Sequence, residues 1–368
     1  MTVDLKHDIT KNILLLQGPV GPFFSGLREY FLKNGADKVV KINFNAGDDF
    51  YYRDGDIIRF KDPLHKLEEF YQNIAQTHKI EAVYLFGDCR PIHQIAVKLF
   101  DTLNIPVYVF EEGYIRPHYI TLEKGGVNAK SNVPRAISAM RGKVPEPPTL
   151  HHKQLGYGFY KKMIHFAVTY FMLIYIFSRK YPFYKHHKPL TFIDMLGWGL
   201  SYLRKPFYRI CDKMTQQRLL KHHRKSFFFV PLQVYNDAQV KYHSTYFDVK
   251  DFIEDVLVSF SRHSEPDMKL VIKHHPLDRG HRNYKSFIRF RARTLGISNR
   301  IHYVHEVNLP KFLKAAKGTI VINSTVGLSS LFHDTAVKVM GDAFYDIGGL
   351  TYQCHLNNFW TANCKVNR

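Results

Sequence analysis

Short apolar runs alternate with amphipathic helical patterns in two separate stretches of this 368-residue chain. The runs predict strands at residues 13–16, 39–44, 82–86 and 106–110, and again at 227–230, 269–272, 301–304 and 319–322. Short strands separated by helices are typical of parallel, doubly wound sheets, whose strands are buried on both faces. We therefore expect two α/β domains, each large enough for its own core.

A proline- and glycine-rich connector, GKVPEPPTLHHKQLGYG, interrupts the alternation between the two stretches. We expect an N-terminal Rossmann-like domain at 1–145. A basic, aromatic, partly helical insert follows at 146–225, and a C-terminal Rossmann-like domain occupies 226–340. The tail at 341–368 is a candidate for crossing back to the first domain.

The insert is strongly basic, since residues 151–225 hold 15 Lys or Arg against two acids, Asp194 and Asp212. Such a segment fits nucleic acid or an anionic membrane, but no helix-turn-helix, zinc-finger or RNP pattern supports nucleic acid. The apolar run at 163–178 is shorter than the roughly 20 residues of a spanning helix. Its basic flanks favour a helix in the membrane interface, and a helix buried between the domains is the alternative.

The cysteines and the N-terminal stretch indicate the compartment. Cys89, Cys211, Cys354 and Cys364 have neither zinc-site nor disulfide-framework spacing, which favours a reducing cytoplasm. The stretch MTVDLKHDITKN lacks the apolar core of a secretory signal. We expect a cytoplasmic protein bound peripherally to a membrane.

Carboxylates follow the predicted strands of the first stretch, at the sheet edge where ligands bind in open parallel sheets. The candidate residues there are Gln17, Gly18, Asp88, Glu111 and Glu112. Paired acids can act as a general base, as a nucleophile or as stabilisers of an oxocarbenium-like state. The loop that begins at Gly18 lacks the glycine order of a dinucleotide site and the lysine of an ATP site.

Only one of the two adjacent glutamates is expected to face the site, because successive residues of a strand point to opposite faces. Glu112, next to Gly113, is the preferred choice. Asp88 is its candidate partner, with capping of the following helix as the alternative. Further candidates for binding a sugar carboxylate lie in the polar loop after the glutamates, where a solvated loop is equally expected: Arg116, His118, Arg135 and residues 128–131.

Cations, amides and hydroxyls follow the predicted strands of the second stretch. The candidates for binding a phosphate-containing donor are Gln233, Lys273, His275, Pro276, Asn323, Ser324 and Thr325. Lys273 and His275 can neutralise and protonate a leaving phosphate, and Pro276 fixes their turn. Ser324 stands where a strand gives way to a helix, where hydroxyls and backbone N–H groups bind anions. A simple N-cap role is the alternative for Ser324.

Four motifs taken together resemble the KpsS/LipB family of capsule polysaccharide biosynthesis proteins: GDCRPIHQ, FEEGYIRPHYITLE followed by GVN, KHHP, and INSTVGLSSL. The resemblance covers residues 13–135 and 227–346. It implies a GT-B fold, with acceptor and catalytic groups in the domain at 1–145 and CMP-sugar binding in the domain at 226–340. It also implies a β-Kdo transferase that starts the poly-Kdo linker of a Gram-negative capsule. Such an enzyme moves Kdo from CMP-Kdo to a phosphatidylglycerol-type lipid at the cytoplasmic face of the inner membrane.

A more distant resemblance to bacterial GT-B sialyltransferases rests on Glu111-Glu112-Gly113 and His275-Pro276. It implies that one glutamate is the acid/base, that His275 binds CMP, and that Ser324 and Thr325 bind phosphate. Sialyltransferases invert, whereas capsule Kdo transferases are expected to retain and to need a carboxylate nucleophile. Which acid is the nucleophile stays open.

The resemblance also sets expectations for cofactors and partners. CMP-Kdo carries a single phosphate, so we expect no cofactor and no metal, and the chain shows no DxD-type metal motif beyond a turn at Asp54-Gly55-Asp56. The expected partners are the donor, the lipid acceptor, an anionic membrane, a second capsule Kdo transferase and the export machinery, without nucleic acid. The alternatives are another donor, such as CMP-sialic acid, and a non-catalytic capsule assembly or export factor.

Overall fold

The computed structural model describes residues 9–114, 119–135, 157–187 and 191–362, and the chain divides into two compact units, Met1–Pro189 and Leu190–Arg368. The division falls inside the predicted insert at 146–225. The insert is therefore not a separate body: its first helix belongs to the first unit and its long second helix to the second unit. Much of the proline-rich connector lies outside the described residues.

The first unit is built on a six-stranded sheet of order β3-β2-β1-β4-β5-β6, parallel except for β6, which runs antiparallel to β5. The strands are β1 Asn12–Leu15, β2 Lys38–Asn43, β3 Asp56–Arg59, β4 Ala82–Phe86, β5 Val107–Glu112 and β6 Ile120–Lys124. The four strands predicted in this stretch are confirmed. β3 and β6 were not predicted, because these edge strands are partly exposed and carry no continuous apolar run.

Both faces of this sheet are covered by helices. The helices are α1 Phe23–Lys33, α2 Ala46–Tyr51, α3 Leu67–Thr77, α4 Pro91–Thr102 and α5 Tyr157–Ile176, and short 3-10 turns lie at Leu64–Lys66 and Asn128–Lys130. Alternate side chains of β1 enter two different cores: Leu14 lies in one, and Ile13 and Leu15 lie in the other. This alternation is the period-2 geometry of a strand buried on both faces.

Helix α5 contains residues 163–176 of the apolar run at 163–178, and it packs on the first unit through one face. The Tyr170 hydroxyl donates to Asp48 Oδ1 at 2.9 Å and accepts from Asn45 Nδ2 at 2.8 Å. Its ring lies so close to Gly47 that a Cβ there would overlap it. The helix is therefore held by a buried polar contact on one side, while side chains such as Ile164 remain exposed.

The second unit contains a five-stranded, fully parallel sheet of order β11-β10-β7-β8-β9. Its strands are β7 Phe227–Pro231, β8 Lys269–Lys273, β9 Ile301–Val304, β10 Gly318–Val321 and β11 Ala336–Val339. Its helices are α6 Phe192–His222, α7 Ala238–Tyr242, α8 Val249–His263, α9 Lys285–Thr294, α10 Leu309–Ala315, α11 Thr325–Phe332 and α12 Leu356–Phe359. The four predicted strands are again confirmed, and β11 was not predicted.

The C-terminal tail, as far as residue 362, packs into the core of the second unit. Trp360 is fully buried against Phe228 and Phe260, and its Nε1 donates to Ser259 Oγ at 2.7 Å. The expectation that the tail crosses back to the first domain is corrected for these residues, because the buried indole fixes them to the second unit.

Among the described residues, no helix is long and apolar enough to cross a membrane.

Candidate functional site

Asp88 and the glutamate pair lie at adjacent strand ends of the first unit, because β4 and β5 pair in parallel up to Phe86 and Phe110. The Asp88 side chain is 1% exposed, and its Oδ2 has no hydrogen-bond partner. The Lys130 ammonium lies 4.0 Å from this oxygen. Asp88 does not cap the following helix, whose N-cap position is Arg90. The structure thus keeps a buried carboxylate oxygen with a lysine beside it.

Glu111, not Glu112, is the glutamate that lies with this group. Its Oε1 accepts the Glu112 backbone N–H at 2.9 Å, and its Oε2 accepts from Asn128 Nδ2 at 3.3 Å. Burial raises the pKa of Glu111, and the negative charges of Glu112 and Asp88 act in the same direction. Glu112 is exposed. The preference for Glu112 rested on the neighbouring glycine, and the pleat of β5 places Glu111 on the Asp88 side instead.

Gln17 and Gly18, after β1, are engaged within the first unit. The guanidinium Nη1 of Arg90 donates to Gln17 Oε1 at 2.9 Å and to the Gly18 carbonyl at 3.0 Å. A Cβ at Gly18 would lie 2.9 Å from the Phe24 ring. Close packing therefore explains this glycine without a ligand. Arg90 was not singled out from the sequence, although it stands inside the GDCRPIHQ motif.

Two members of the 128–131 segment are used inside the first unit. Asn128 binds Glu111, and Ser131 Oγ donates to both carboxylate oxygens of Glu123 at 2.8 Å. Arg135 is exposed. The other two candidates of this loop, Arg116 and His118, lie outside the described residues.

In the second unit, Lys273 and His275 stand at the end of β8. Burial lowers the pKa of Lys273 to about 8, and its ammonium donates to the His274 carbonyl at 3.3 Å. His275 Nδ1 accepts the Leu277 backbone N–H at 3.2 Å and so caps the 3-10 turn Pro276–Gly280. Pro276 occupies the first, exposed position of this turn. The KHHP motif therefore forms a defined loop that presents one cation and one imidazole.

Buried aromatic residues support this loop from behind. His274 Nδ1 lies 2.6 Å from the Tyr303 hydroxyl, and burial lowers the pKa of His274 to about 4. The ring of His305 stacks on Tyr208 of α6, with centroids 3.8 Å apart and planes within 6°. Burial lowers the pKa of His305 to about 3. Both histidines are therefore neutral, packed rings at ordinary pH.

Asp212 on α6 fixes the end of β9, a role that sequence reasoning missed. Its Oδ2 accepts the backbone N–H groups of His305, at 2.7 Å, and of Glu306, at 2.8 Å. Glu306 in turn forms an ion pair with Arg279 of the 3-10 turn. The signal in the sequence was that Asp212 is one of only two acids in the basic segment 151–225.

Gln233 and Asn323 hydrogen-bond to each other across the ends of β7 and β10. Gln233 Nε2 donates to Asn323 Oδ1 at 2.9 Å, and Gln233 Oε1 accepts the Asn323 backbone N–H at 3.2 Å. Asn323 Nδ2 donates to the carbonyls of Gln239 and His243. Both residues were predicted to bind the phosphate-containing donor. In the structure, these hydrogen bonds hold the ends of β7 and β10 together.

Ser324 is the N-cap of α11, as the alternative for this residue anticipated. Its hydroxyl accepts the Val326 N–H at 3.3 Å, and its carbonyl accepts from the Tyr345 hydroxyl. A Cβ at Gly327 would overlap Tyr345, so this glycine admits the tyrosine. Thr325 is half-buried in the first turn of the helix.

Each unit is a Rossmann-like α/β domain with polar side chains at the carboxyl ends of its parallel strands, so the chain is a protein of two α/β domains. The sequence model of the capsule polysaccharide biosynthesis protein family matches residues 81–368. The chain belongs to this family, which confirms the resemblance drawn from its motifs.

Two relatives match nearly the whole chain. It is 40% identical to the capsule polysaccharide export protein KpsS of Escherichia coli, over 96% of this chain and 91% of KpsS. It is 42% identical to the capsule polysaccharide modification protein LipB of Neisseria meningitidis serogroup B, over 95% of this chain and 85% of LipB. Among solved structures, the beta Kdo 2,7 transferase KpsC of Thermosulfurimonas dismutans is 15% identical, covers 92% of this chain and 82% of its own, and has a TM-score of 0.45.

Proposed function

We propose that this capsule polysaccharide biosynthesis protein is a glycosyltransferase that moves Kdo from CMP-Kdo to a phosphatidylglycerol-type lipid and so starts the poly-Kdo linker of a capsule. The observation that carries the proposal is the pair of carboxyl groups, Asp88 and Glu111, at neighbouring strand ends. Buried carboxyl pairs at a sheet edge are suited to glycosyl transfer, since one acid can stay ionised while its neighbour exchanges a proton.

The two acids have different environments, which suggests different roles. Asp88 Oδ2 has no hydrogen-bond partner, so it is the oxygen available to attack the anomeric carbon of the donor. In that step the bond to the CMP phosphate breaks, and CMP leaves with the electron pair. Glu111, whose pKa burial raises, then takes the acceptor hydroxyl proton as the acceptor oxygen displaces Asp88. Two displacements at one carbon retain its configuration.

We assign donor binding to the second unit, where His275, Lys273, Ser324 and Thr325 stand beyond the strands. Lys273 has a pKa of about 8, so it is charged at neutral pH and can also give up a proton to a leaving phosphate. His275 offers a half-exposed ring at the start of a capped turn. A single phosphate needs only such groups, so the proposed reaction uses no metal.

We also propose a peripheral location at the cytoplasmic face of the inner membrane, where the lipid acceptor lies. A second capsule Kdo transferase that extends the product and the export machinery are the proposed partners. Support comes from membership of the capsule family and from the names of KpsS and LipB, which refer to export and modification of capsule polysaccharide.

The test incubates purified protein with CMP-Kdo and a fluorescent phosphatidylglycerol and follows the product by mass. We expect the lipid to gain the mass of one Kdo. Glu111→Gln is expected to lower the rate of this transfer by about a hundredfold or more. Glu112→Gln is the matched control, because it changes an adjacent, exposed glutamate, and it is expected to keep most of the activity. Equal losses in both variants would contradict the assignment of Glu111.

A second measurement separates the roles of the acids. With donor alone, Glu111→Gln protein is expected to accumulate Kdo on the peptide that contains Asp88, seen by mass spectrometry. His275→Ala is expected to weaken CMP binding. CMP-sialic acid supplied in place of CMP-Kdo tests the other donor. Folded protein that transfers neither sugar would favour the assembly- or export-factor alternative, which the name of KpsS also suggests.

A further inference from the structure

Helix α6 has two opposite faces, of which one holds the loop after β8, residues 274–281 (the donor loop). Ser201 Oγ donates to the Leu277 carbonyl at 3.0 Å and accepts the Gly280 N–H at 2.8 Å. Gly197 packs against His281, and Asp212 holds the end of β9. These positions follow one another at intervals that place them on a single side of an α-helix. This side is therefore committed to the second unit.

The other face carries an exposed apolar stripe. Its residues follow intervals of four and three: Leu196, Leu200, Leu203, Phe207, Ile210 and Met214. Their exposed fractions run from 43% at Leu200 to 76% at Met214. At 1.5 Å per residue the stripe is roughly 27 Å long. Among the described residues nothing covers it, and a patch of this size on a soluble surface indicates an interaction site.

Basic side chains flank the stripe on both edges. Arg204 lies along one edge, and Arg209 and Lys213 lie along the other; all three are exposed. Both acids of the helix are occupied elsewhere, since Asp194 forms the N-terminal capping box and Asp212 is buried in the β9 contact. The exposed surface of α6 is thus apolar along its middle and positive along its edges.

We propose that the stripe of α6 is a membrane-docking surface that lies flat in the interface of an anionic bilayer. An apolar face bordered by Lys and Arg is the arrangement of interfacial helices, whose basic stems reach up to lipid phosphates. A second copy of the chain fits less well, because pairing two stripes would bring Arg209 and Lys213 against like charges without an acid opposite. The surface differs from the apolar run at 163–178, which Tyr170 binds to the first unit.

Docking would place the donor loop at a fixed height above the lipid, because the same helix holds the turn after His275 and Pro276 through Ser201. The docking surface rests on the proposed peripheral location and not on the proposed reaction, since binding to vesicles requires neither donor nor acceptor chemistry. Its failure and that of the proposed function are therefore distinguishable.

The test measures partition of the full chain onto vesicles of phosphatidylcholine with and without phosphatidylglycerol, by flotation. Wild type is expected to bind the anionic vesicles. Leu203→Glu and Ile210→Glu are each expected to weaken binding about tenfold. Arg209→Gln and Lys213→Gln are each expected to weaken it about fivefold. Phe290→Glu is the matched control, since Phe290 is a 65% exposed side chain of α9 in the same unit.

A second readout does not depend on a charged substitution. Phe207 lies in the stripe and is 62% exposed, whereas Trp198 packs against His281 on the other side of the helix and Trp360 is fully buried. Brominated phosphatidylglycerol is expected to quench the emission of the indole that Phe207→Trp adds, and to change the emission of wild type much less. Unchanged binding by Leu203→Glu would overturn the proposal. The proposal would also be overturned if wild type formed a dimer and Leu203→Glu dissociated that dimer without any loss of vesicle binding.

Discussion

The Asp278 carboxyl group lies in the turn after Pro276 and is 0% exposed. Ionisation of this buried group lowers the free energy of unfolding. Its Oδ2 accepts the Tyr235 N–H at 3.0 Å, but its Oδ1 has no partner. Burial raises its pKa from 3.8 to about 7. A shift of about 3 pH units corresponds to about 4 kcal/mol of unfolding free energy.

The sign follows from which state binds the proton more tightly. The folded state has the higher pKa, so the contribution of Asp278 to stability is complete below pH about 4. It is lost as the pH rises to about 7. Asp278→Asn keeps an acceptor for Tyr235 and removes the charge, at a cost of about 1–3 kcal/mol for a buried amide without a partner. We therefore expect the variant to be more stable than wild type at pH about 8.

The assay is urea unfolding of wild type and Asp278→Asn at pH about 5 and about 8, followed by the fluorescence of buried Trp360. The unfolding free energy of the variant minus that of wild type is expected to be about 2–3 kcal/mol larger at the higher pH than at the lower pH. Asp267→Asn, on the surface of the same unit, is the control and is expected to give the same difference at both. A pH-independent difference for Asp278→Asn would refute the reasoning.

Four further predictions concern the packing and the site. Gly47→Ala, whose Cβ would overlap the Tyr170 ring, is expected to lower the unfolding free energy by about 1–3 kcal/mol. Gly26→Ala, in open space on α1, is expected to raise it by about 0.5–1 kcal/mol; thermal melts measure both. Asp212→Ala leaves two backbone N–H groups without their acceptor and is expected to cost about 2–4 kcal/mol in urea unfolding. Because burial raises the pKa of Glu111, the transfer rate is expected to fall on acidification at a pH above the ordinary 4.5; a pH–rate profile with its acid limb at or below that value would contradict the role.

The choice between the two glutamates illustrates where sequence reasoning ended. The alternation of a strand predicted that only one of them faces the site. Which one depends on how β5 lies beside β4, where Phe110 pairs with Phe86 and Asp88 follows at the strand end. That register is a contact between segments, and the pattern of one strand carries no information about it.

The basic segment gives a second example. Its composition predicted contact with an anionic surface, which stays a prediction. Its two acids had no assigned role, yet the structure places Asp194 in the capping box of α6 and Asp212 on the backbone of β9. Asp194 thus marks the start of α6, and Asp212 anchors the end of β9. The sequence does not show the second contact, because β9 lies about 90 residues further along the chain.

The sequence by itself determined the two α/β domains, eight of their strands and the polar residues that follow those strands, since burial on both faces leaves a local apolar run that ends where the sheet ends. The tertiary structure alone decided the exposed edge strands, the reciprocal pairing of Gln233 with Asn323, and the attachment of α6 to the donor loop. Each of these depends on which distant groups meet, and hydrogen bonding between distant groups leaves no period in the chain.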